Sequence, residues 1–325
     1  MLTFNEYASL WRTQAPQGFN QVSPAPSFHE YVLRSIYLQD YIDLFIQVPT
    51  FIRVNIGEDW YIEITGNPLL NTLAIPMTSP YCINIGGVDY LKIGYDYPWT
   101  PSELDEKRHI KYIMVGEAPR PSEAQTFFYN LEEINNTPWL NAPVDAFLVF
   151  NNGNGLNQDP TKKEKLIFLA NNGYILLDLF PFAMDDYSPF RNNLNQEGIS
   201  ENFFMNFINR KLRNFQSYNL LADEPILAFS GPGIIHHYLA DKISVGELSI
   251  TPDFITCRAY QNGFRIYSPA SENTPPIMIP WPGGGLLNGI FTAGILSQVP
   301  YYRCGCYYVG GNYAPHSLLI RNAFF

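Results

Sequence analysis

Cysteine is sparse in this chain. Cys82, Cys257, Cys304 and Cys306 are its four, and only the last two, in "RCGCYY", stand close together. Zinc and iron–sulfur sites usually draw on two well-spaced pairs of ligands, so no metal and no other cofactor is expected, and the thiols read as buried and free. Long apolar runs are missing as well. No stretch reaches the length of a membrane span, and the opening "MLTFNEYASLWRTQ" carries Glu6 and Arg12 where a secretory leader would hold an unbroken apolar core. These absences lead to the expectation of a soluble cytoplasmic protein without membrane contacts. Basic residues are in deficit, 20 lysines and arginines against 30 acids, giving a net charge of −10. That excludes indiscriminate binding to the phosphate backbone of nucleic acid, while leaving room for a local basic surface. Apolar residues, by contrast, make up 46% of the 325, enough for one large globular domain or two.

Residues 1–105 read as an accessory region, aromatic and β-rich. "TFIRVNIGEDWYIEITGNP" predicts two strands joined at "GED", and "SFHEYVLRSIYLQDYIDLF" predicts a helix with Ser27 as N-cap. No chemistry is visible there. The pattern changes at "YPWTPSELDEKRHIKYIMVGEAP", where Thr100, Pro101 and Glu103 form a capping box with proline at the first helical position. From 106 to 325, strands and helices alternate. "KYIMV", "GYILLDLFPF", "EPILAFS" and "PPIMIPW" read as strands; "KKEKLIFLANN", "SENFFMNFINRKLRNF" and "GLLNGIFTAGILSQ" read as helices. Such alternation predicts an α/β fold, a three-layer sandwich around a central four-stranded, mostly parallel sheet. "TCRAYQNGFRIYSP" breaks the rhythm, and its Asn262-Gly263 pair predicts an inserted hairpin. Ligands of open parallel sheets bind at the carboxyl ends of the strands, and those ends here read "GEAPRP", "DLFPF", "SGPG" and "PWPGGG". Glycine and proline at every exit let backbone approach a ligand closely.

"VGEAPRP" resembles the first active-site motif of the uracil-DNA glycosylase superfamily, which in several branches reads GEAPG at the end of the first strand. "NNGYILLDLFPF" resembles its second-strand segment, in which a glycine and apolar residues lead to an asparagine that reads the base. Asp178 stands at that position, 62 residues after Gly116. The resemblance covers about residues 108–298. It implies a DNA glycosylase, an enzyme that hydrolyses the N-glycosidic bond of a base flipped out of the duplex and leaves an abasic site. Gly116, Ala118 and Pro119 would then form the backbone floor of the pocket, and Glu117 would orient or activate water. The alternative for Glu117 is a cap on a neighbouring turn.

The superfamily places an aromatic for stacking several residues later, and "TFFYN" supplies Phe127, Phe128 and Tyr129. Phe128 is the favoured one, with burial in the core as the alternative. An ionised aspartate at 178 only accepts hydrogen bonds, which suits the exocyclic amine of cytosine better than uracil. Otherwise Asp178 caps a helix or pairs with an arginine. Arg120 replaces a tyrosine that blocks the pyrimidine 5-position in uracil-specific members, so the pocket is expected to be open there. Removal of ordinary cytosine would destroy the host genome. The expected substrate is therefore a 5-modified cytosine in foreign or phage DNA.

The second superfamily motif has two candidates. "MIPWPGGG" places Ile279 where a histidine is usual, with Trp281 filling the space left by the base and Gly283 and Gly284 close to the DNA backbone. "APHSLLIRN" would make His316 the residue that stabilises the departing base. Arg191 and Arg213, with Arg210, Lys211 and the lysines at 162, 163 and 165, could form a DNA track, although a charge run is more often a solvated helix face. The expected partner is base-modified or damaged DNA, bound by a monomer. Two other classes fit the same residues: a binding or sensing protein that has lost hydrolysis, and a hydrolase of free nucleosides or nucleotides.

Overall fold

A computed structural model describes residues 28–72, 79–116, 127–131, 138–179, 204–230, 256–257, 260–261, 264–265, 277–279 and 324–325. The chain forms two compact units, one from residues 1–108, 118–130 and 180–218, the other from 109–117, 131–179 and 219–325.

The first unit begins with α1 (Phe28–Ile46). The sequence predicts a helix with one apolar stripe, yet every residue from Leu38 to Phe45 is buried. Val32 and Ile36 enter a core with Phe51, Ile62, Ile64, Leu70, Leu91 and Ile93. Tyr37 and Tyr41 meet the rings of Phe127 and Tyr129 at 6.1 and 4.7 Å. A helix covered on more than one side is buried all round, so its polar positions need internal partners. It stops at Gln47, which takes φ 65° and donates its amide to the Asp43 carbonyl at 2.8 Å, ahead of Pro49.

β1 (Arg53–Ile56) and β2 (Asp59–Glu63) form the predicted hairpin. Its two-residue loop starts at Gly57 with φ 70°, the positive value a tight hairpin turn requires. After a short helix α2 (Pro68–Thr72), β3 (Cys82–Ile85) and β4 (Val88–Lys92) make a second hairpin, closed by Gly86 and Gly87. The four strands are antiparallel in the order β1-β2-β4-β3. The short helix α3 (Pro101–Leu104) starts as its capping box predicts, with Glu103 accepting the Thr100 amide at 2.6 Å.

The second unit is built on β5 (Ile110–Gly116), β6 (Tyr174–Asp178) and β7 (Leu221–Ser230), a parallel sheet in the order β7-β5-β6. These are three strands of the predicted parallel sheet. β8 (Thr256–Cys257) and β11 (Ile277–Ile279) are short segments running parallel to β7. β9 (Tyr260–Gln261) pairs antiparallel with β10 (Phe264–Arg265), as expected for a hairpin turning at Asn262-Gly263. β7 begins earlier than "EPILAFS" suggests. A register shift between Ile110 and Tyr112 accommodates Pro225, which has no N–H to give the ladder.

Between β5 and β6 run α4 (Pro138–Phe150) and α5 (Lys162–Asn171). Thr161 and Glu164 cap α5 reciprocally, the Glu164 amide donating to Thr161 Oγ1 at 3.2 Å and the Thr161 amide to Glu164 Oε2 at 2.7 Å. Gly173 turns the chain from α5 into β6 at φ 76°, and its carbonyl accepts the amides of Lys111 and Tyr112 at 2.8 and 2.9 Å. Phe324 is buried against Tyr112 at 5.1 Å, and Phe325 stacks on Phe150 at 4.0 Å.

The predicted helix "SENFFMNFINRKLRNF" is a π-helical stretch, Phe204–Asn209, followed by α6 (Arg210–Ser217), both in the first unit. Phe204, Phe207, Ile208, Leu212 and Phe215 form its buried side. The predicted elements "GPGIIHHYLAD" and "GLLNGIFTAGILSQ" lie outside the described residues.

Candidate functional site

The candidate site is assembled where β5 and β6 end together. Both strands are apolar because both faces are covered: Ile113, Met114 and Val115 on β5, and Ile175 and Leu177 on β6, are fully buried. In-register pairing sets Tyr112 beside Tyr174, Met114 beside Leu176 and Gly116 beside Asp178. Two residues 62 apart in sequence thus become lateral neighbours at the carboxyl edge of the sheet. Asp178 is the first residue of β6 to escape full burial. Its carboxylate leans over the Gly116 backbone so closely that a β-carbon at 116 would lie 2.8 Å from Oδ1. A larger residue at 116 would push the Asp178 carboxylate out of this position, so glycine lets the acid lie over the strand end. The next amide, Leu179 N–H, donates to the Gly116 carbonyl at 2.9 Å and ties the two strand exits together. Burial pushes the Tyr174 hydroxyl well above its ordinary range, and the Asp178 charge adds to the shift. A carboxylate at the carboxyl end of a parallel sheet only accepts hydrogen bonds when ionised, which suits it to an amine or amide N–H edge.

The other predicted residues divide between the units and the undescribed segments. Phe128 belongs to the first unit, 4% exposed and edge-on to Tyr129 at 4.8 Å. That is the environment of a core ring. Arg213 lies exposed on α6 in the same unit. Glu117, Ala118, Pro119, Arg120, Arg191, Trp281, Gly283, Gly284 and His316 lie outside the described residues.

The basic track is corrected at three positions. Lys162 and Lys165 are buried, and Lys165 donates to Asn141 Oδ1 at 2.9 Å. Lys211, 9% exposed, rests its ammonium 5.6 Å from the Phe207 ring. Long aliphatic stems make such positions readable as surface in sequence, although they are packed in the fold. Burial alone pulls Lys211 down to about 8. A buried ammonium costs stability below that pH, and the cost fades as pH climbs toward the free-lysine value. Lys211→Met is therefore expected to stabilise the protein by about 2 kcal/mol at neutral pH, with the gain shrinking above about pH 8. Urea unfolding at two pH values measures it.

Sequence reasoning missed a buried polar cluster in the first unit, centred on Asp40, Asp43 and Arg53. Its signal was present: two aspartates three residues apart inside "YLQDYIDLF", on a helix otherwise apolar at those positions.

Comparison with known proteins adds no family to this geometry: no family model, no curated protein and no solved structure matches the chain. Among the described residues, no helix is long and apolar enough to cross a membrane.

Proposed function

We propose that this chain is a monofunctional DNA glycosylase that hydrolyses the N-glycosidic bond of a flipped pyrimidine, with a 5-modified cytosine as its substrate. The observation that carries the reading is the lateral pairing of Gly116 with Asp178, the ends of the two segments that resemble the superfamily's motifs. Asp178 would accept from the exocyclic amine of the base. Glu117, the next residue after Gly116, would direct water at the sugar carbon, where positive charge develops as the bond breaks. Arg120 would leave the 5-side open, and Trp281 or His316 would complete the pocket. The full architecture in this reading is a three-layer sandwich with a four-stranded, mostly parallel sheet, in a cytoplasmic monomer acting on base-modified DNA.

The test is incubation of the purified chain with oligonucleotides carrying cytosine, uracil or 5-modified cytosines, followed by alkaline cleavage of abasic sites. Product from a 5-modified cytosine, lost in Glu117→Gln, is expected. Product from uracil alone would remove the modified-cytosine assignment. Retained binding with no product from any DNA would favour the sensing role. The net charge of −10 specifically favours a different substrate, a free nucleoside or nucleotide, which needs no basic surface. Turnover of a nucleotide in preference to the oligonucleotide would establish that reading instead.

A further inference from the structure

The first unit buries a set of ionisable side chains that the strand-end site does not use. Asp40 and Asp43 on α1 are 2% and 0% exposed. Arg53 reaches Asp40 from β1 with its side chain 3% exposed, its Nη2 donating to both carboxylate oxygens at 2.5 and 2.6 Å. Tyr95 donates its hydroxyl to the same carboxylate at 2.9 Å, and Trp99 Nε1 donates to the Asp40 carbonyl. Asp43 accepts from the Thr50 amide at 2.9 Å, the Thr50 hydroxyl at 2.5 Å, Tyr97 at 3.1 Å and Gln39 at 3.3 Å. The Arg53 guanidinium lies over the rings of Tyr97, Tyr95 and Phe51 at 4.9, 5.6 and 6.0 Å, and Tyr37 stacks on Tyr95. At the same C-terminal end of α1, Arg108 donates to the carbonyls of Leu44, Glu103 and Glu106 and to the Glu106 carboxylate.

Counting charges in this cluster leaves an imbalance. Asp40 is paired with the Arg53 guanidinium and also holds the neutral Tyr95, whereas the bonds to Asp43 come from Gln39, Thr50 and Tyr97, all neutral. With both acids ionised, a negative charge would be stranded away from water, which the interior penalises heavily. We propose that the Asp40–Asp43 pair holds one proton while α1 is docked on the meander, so that the helix is fastened by a proton-dependent contact, firmer in acid than near neutrality.

Desolvation supports this, pushing Asp40 to about 7 against the pull of Arg53, and Asp43 to about 6 against the pull of Thr50. Undocking would return both carboxyls to the ordinary range near 4 and release the proton. The docked state's gain from the proton is therefore full below about pH 4, shrinks as pH rises from there, and is gone above the raised values.

Hydrogen exchange of peptides spanning residues 28–46 in the full chain, corrected for intrinsic rates, tests the proposal. Opening of α1 is expected to become up to about tenfold easier for each pH unit between roughly 4.5 and 6, then level off above about 7. Asp43→Asn, which cannot ionise, should flatten the profile. Infrared spectra of Asp145→Asn, which silences the carboxyl of the second unit that burial also raises to about 6, supply a reading that does not depend on altering the cluster: a protonated-carboxyl stretch present near pH 5.5 and fading by pH 8. A pH-independent opening of the unaltered chain, an unchanged slope in Asp43→Asn or the absence of that band would each overturn the proposal. If Asp43→Asn fails to fold, the infrared band decides alone.

Discussion

Gly173→Ala is expected to destabilise the second unit by about 2–5 kcal/mol, from the sum of two independent costs. The first is conformational. Gly173 holds φ 76°, a left-handed backbone that costs an L-residue about 1–2 kcal/mol. The second is steric. A β-carbon there would lie 2.6 Å from the His109 carbonyl oxygen and 3.1 Å from both the amide and the Cβ of Lys111. His109 and Lys111 lead into β5 and cannot rotate away as a side-chain tip could, so overpacking adds about 1–3 kcal/mol. The carbonyl of residue 173 itself accepts the Lys111 and Tyr112 amides, so relief of the clash by moving residue 173 would loosen the β5–β6 pairing. Gly153→Ala is the control: φ 79° but nothing within 4 Å of the added carbon, hence the conformational cost alone. Thermal unfolding of both variants against the parent measures the difference, and equal losses would refute the steric half.

The second large effect concerns Asp178→Asn. If the proposed function holds, the carboxylate is the group that distinguishes an exocyclic amine from a carbonyl on the pyrimidine edge. Asparagine presents an N–H where the carboxylate presents a lone pair. Preference is expected to swing toward uracil, with each edge contact worth about 1–3 kcal/mol, or roughly 5- to 150-fold. The two side chains match in size, so the Gly116 contact should survive. The measurement is kcat/KM on matched oligonucleotides carrying the modified cytosine or uracil. A loss of both activities without a swing would assign Asp178 to positioning, and no change in either would separate it from base recognition.

Much of the fold was legible because its signals are local. "KYIMV", "KKEKLIFLANN" and "GYILLDLF" are bounded by turn residues and caps, and each appears where its pattern puts it. The β1–β2 hairpin was readable from the glycine of "GED", whereas the β3–β4 hairpin, which turns at Gly86 and Gly87, was not among the predicted elements. The Asp178–Gly116 contact was partly legible, since both residues end apolar runs, but their register depends on long-range pairing that no short window contains. The burial of α1 was hidden for the same reason. A stripe of apolar residues reports one covered face, and nothing within "YLQDYIDLF" announces that a second layer will cover the other. Lys162, Lys165 and Lys211 misled because charge is read as exposure, whereas all three are buried, the Lys165 ammonium donating to Asn141 and that of Lys211 resting near the Phe207 ring.

The chain passes from one unit to the other after residues 108, 117, 130, 179 and 218, so neither unit is a continuous stretch of sequence. During synthesis the antiparallel meander of the first unit leaves the ribosome early, but its helical segment at 204–217 follows only after β5 and β6 have been made. The nascent chain therefore carries two half-built cores at once, each waiting on a later segment, and contact with chaperones should be prolonged until β7, which pairs with β5, has also emerged.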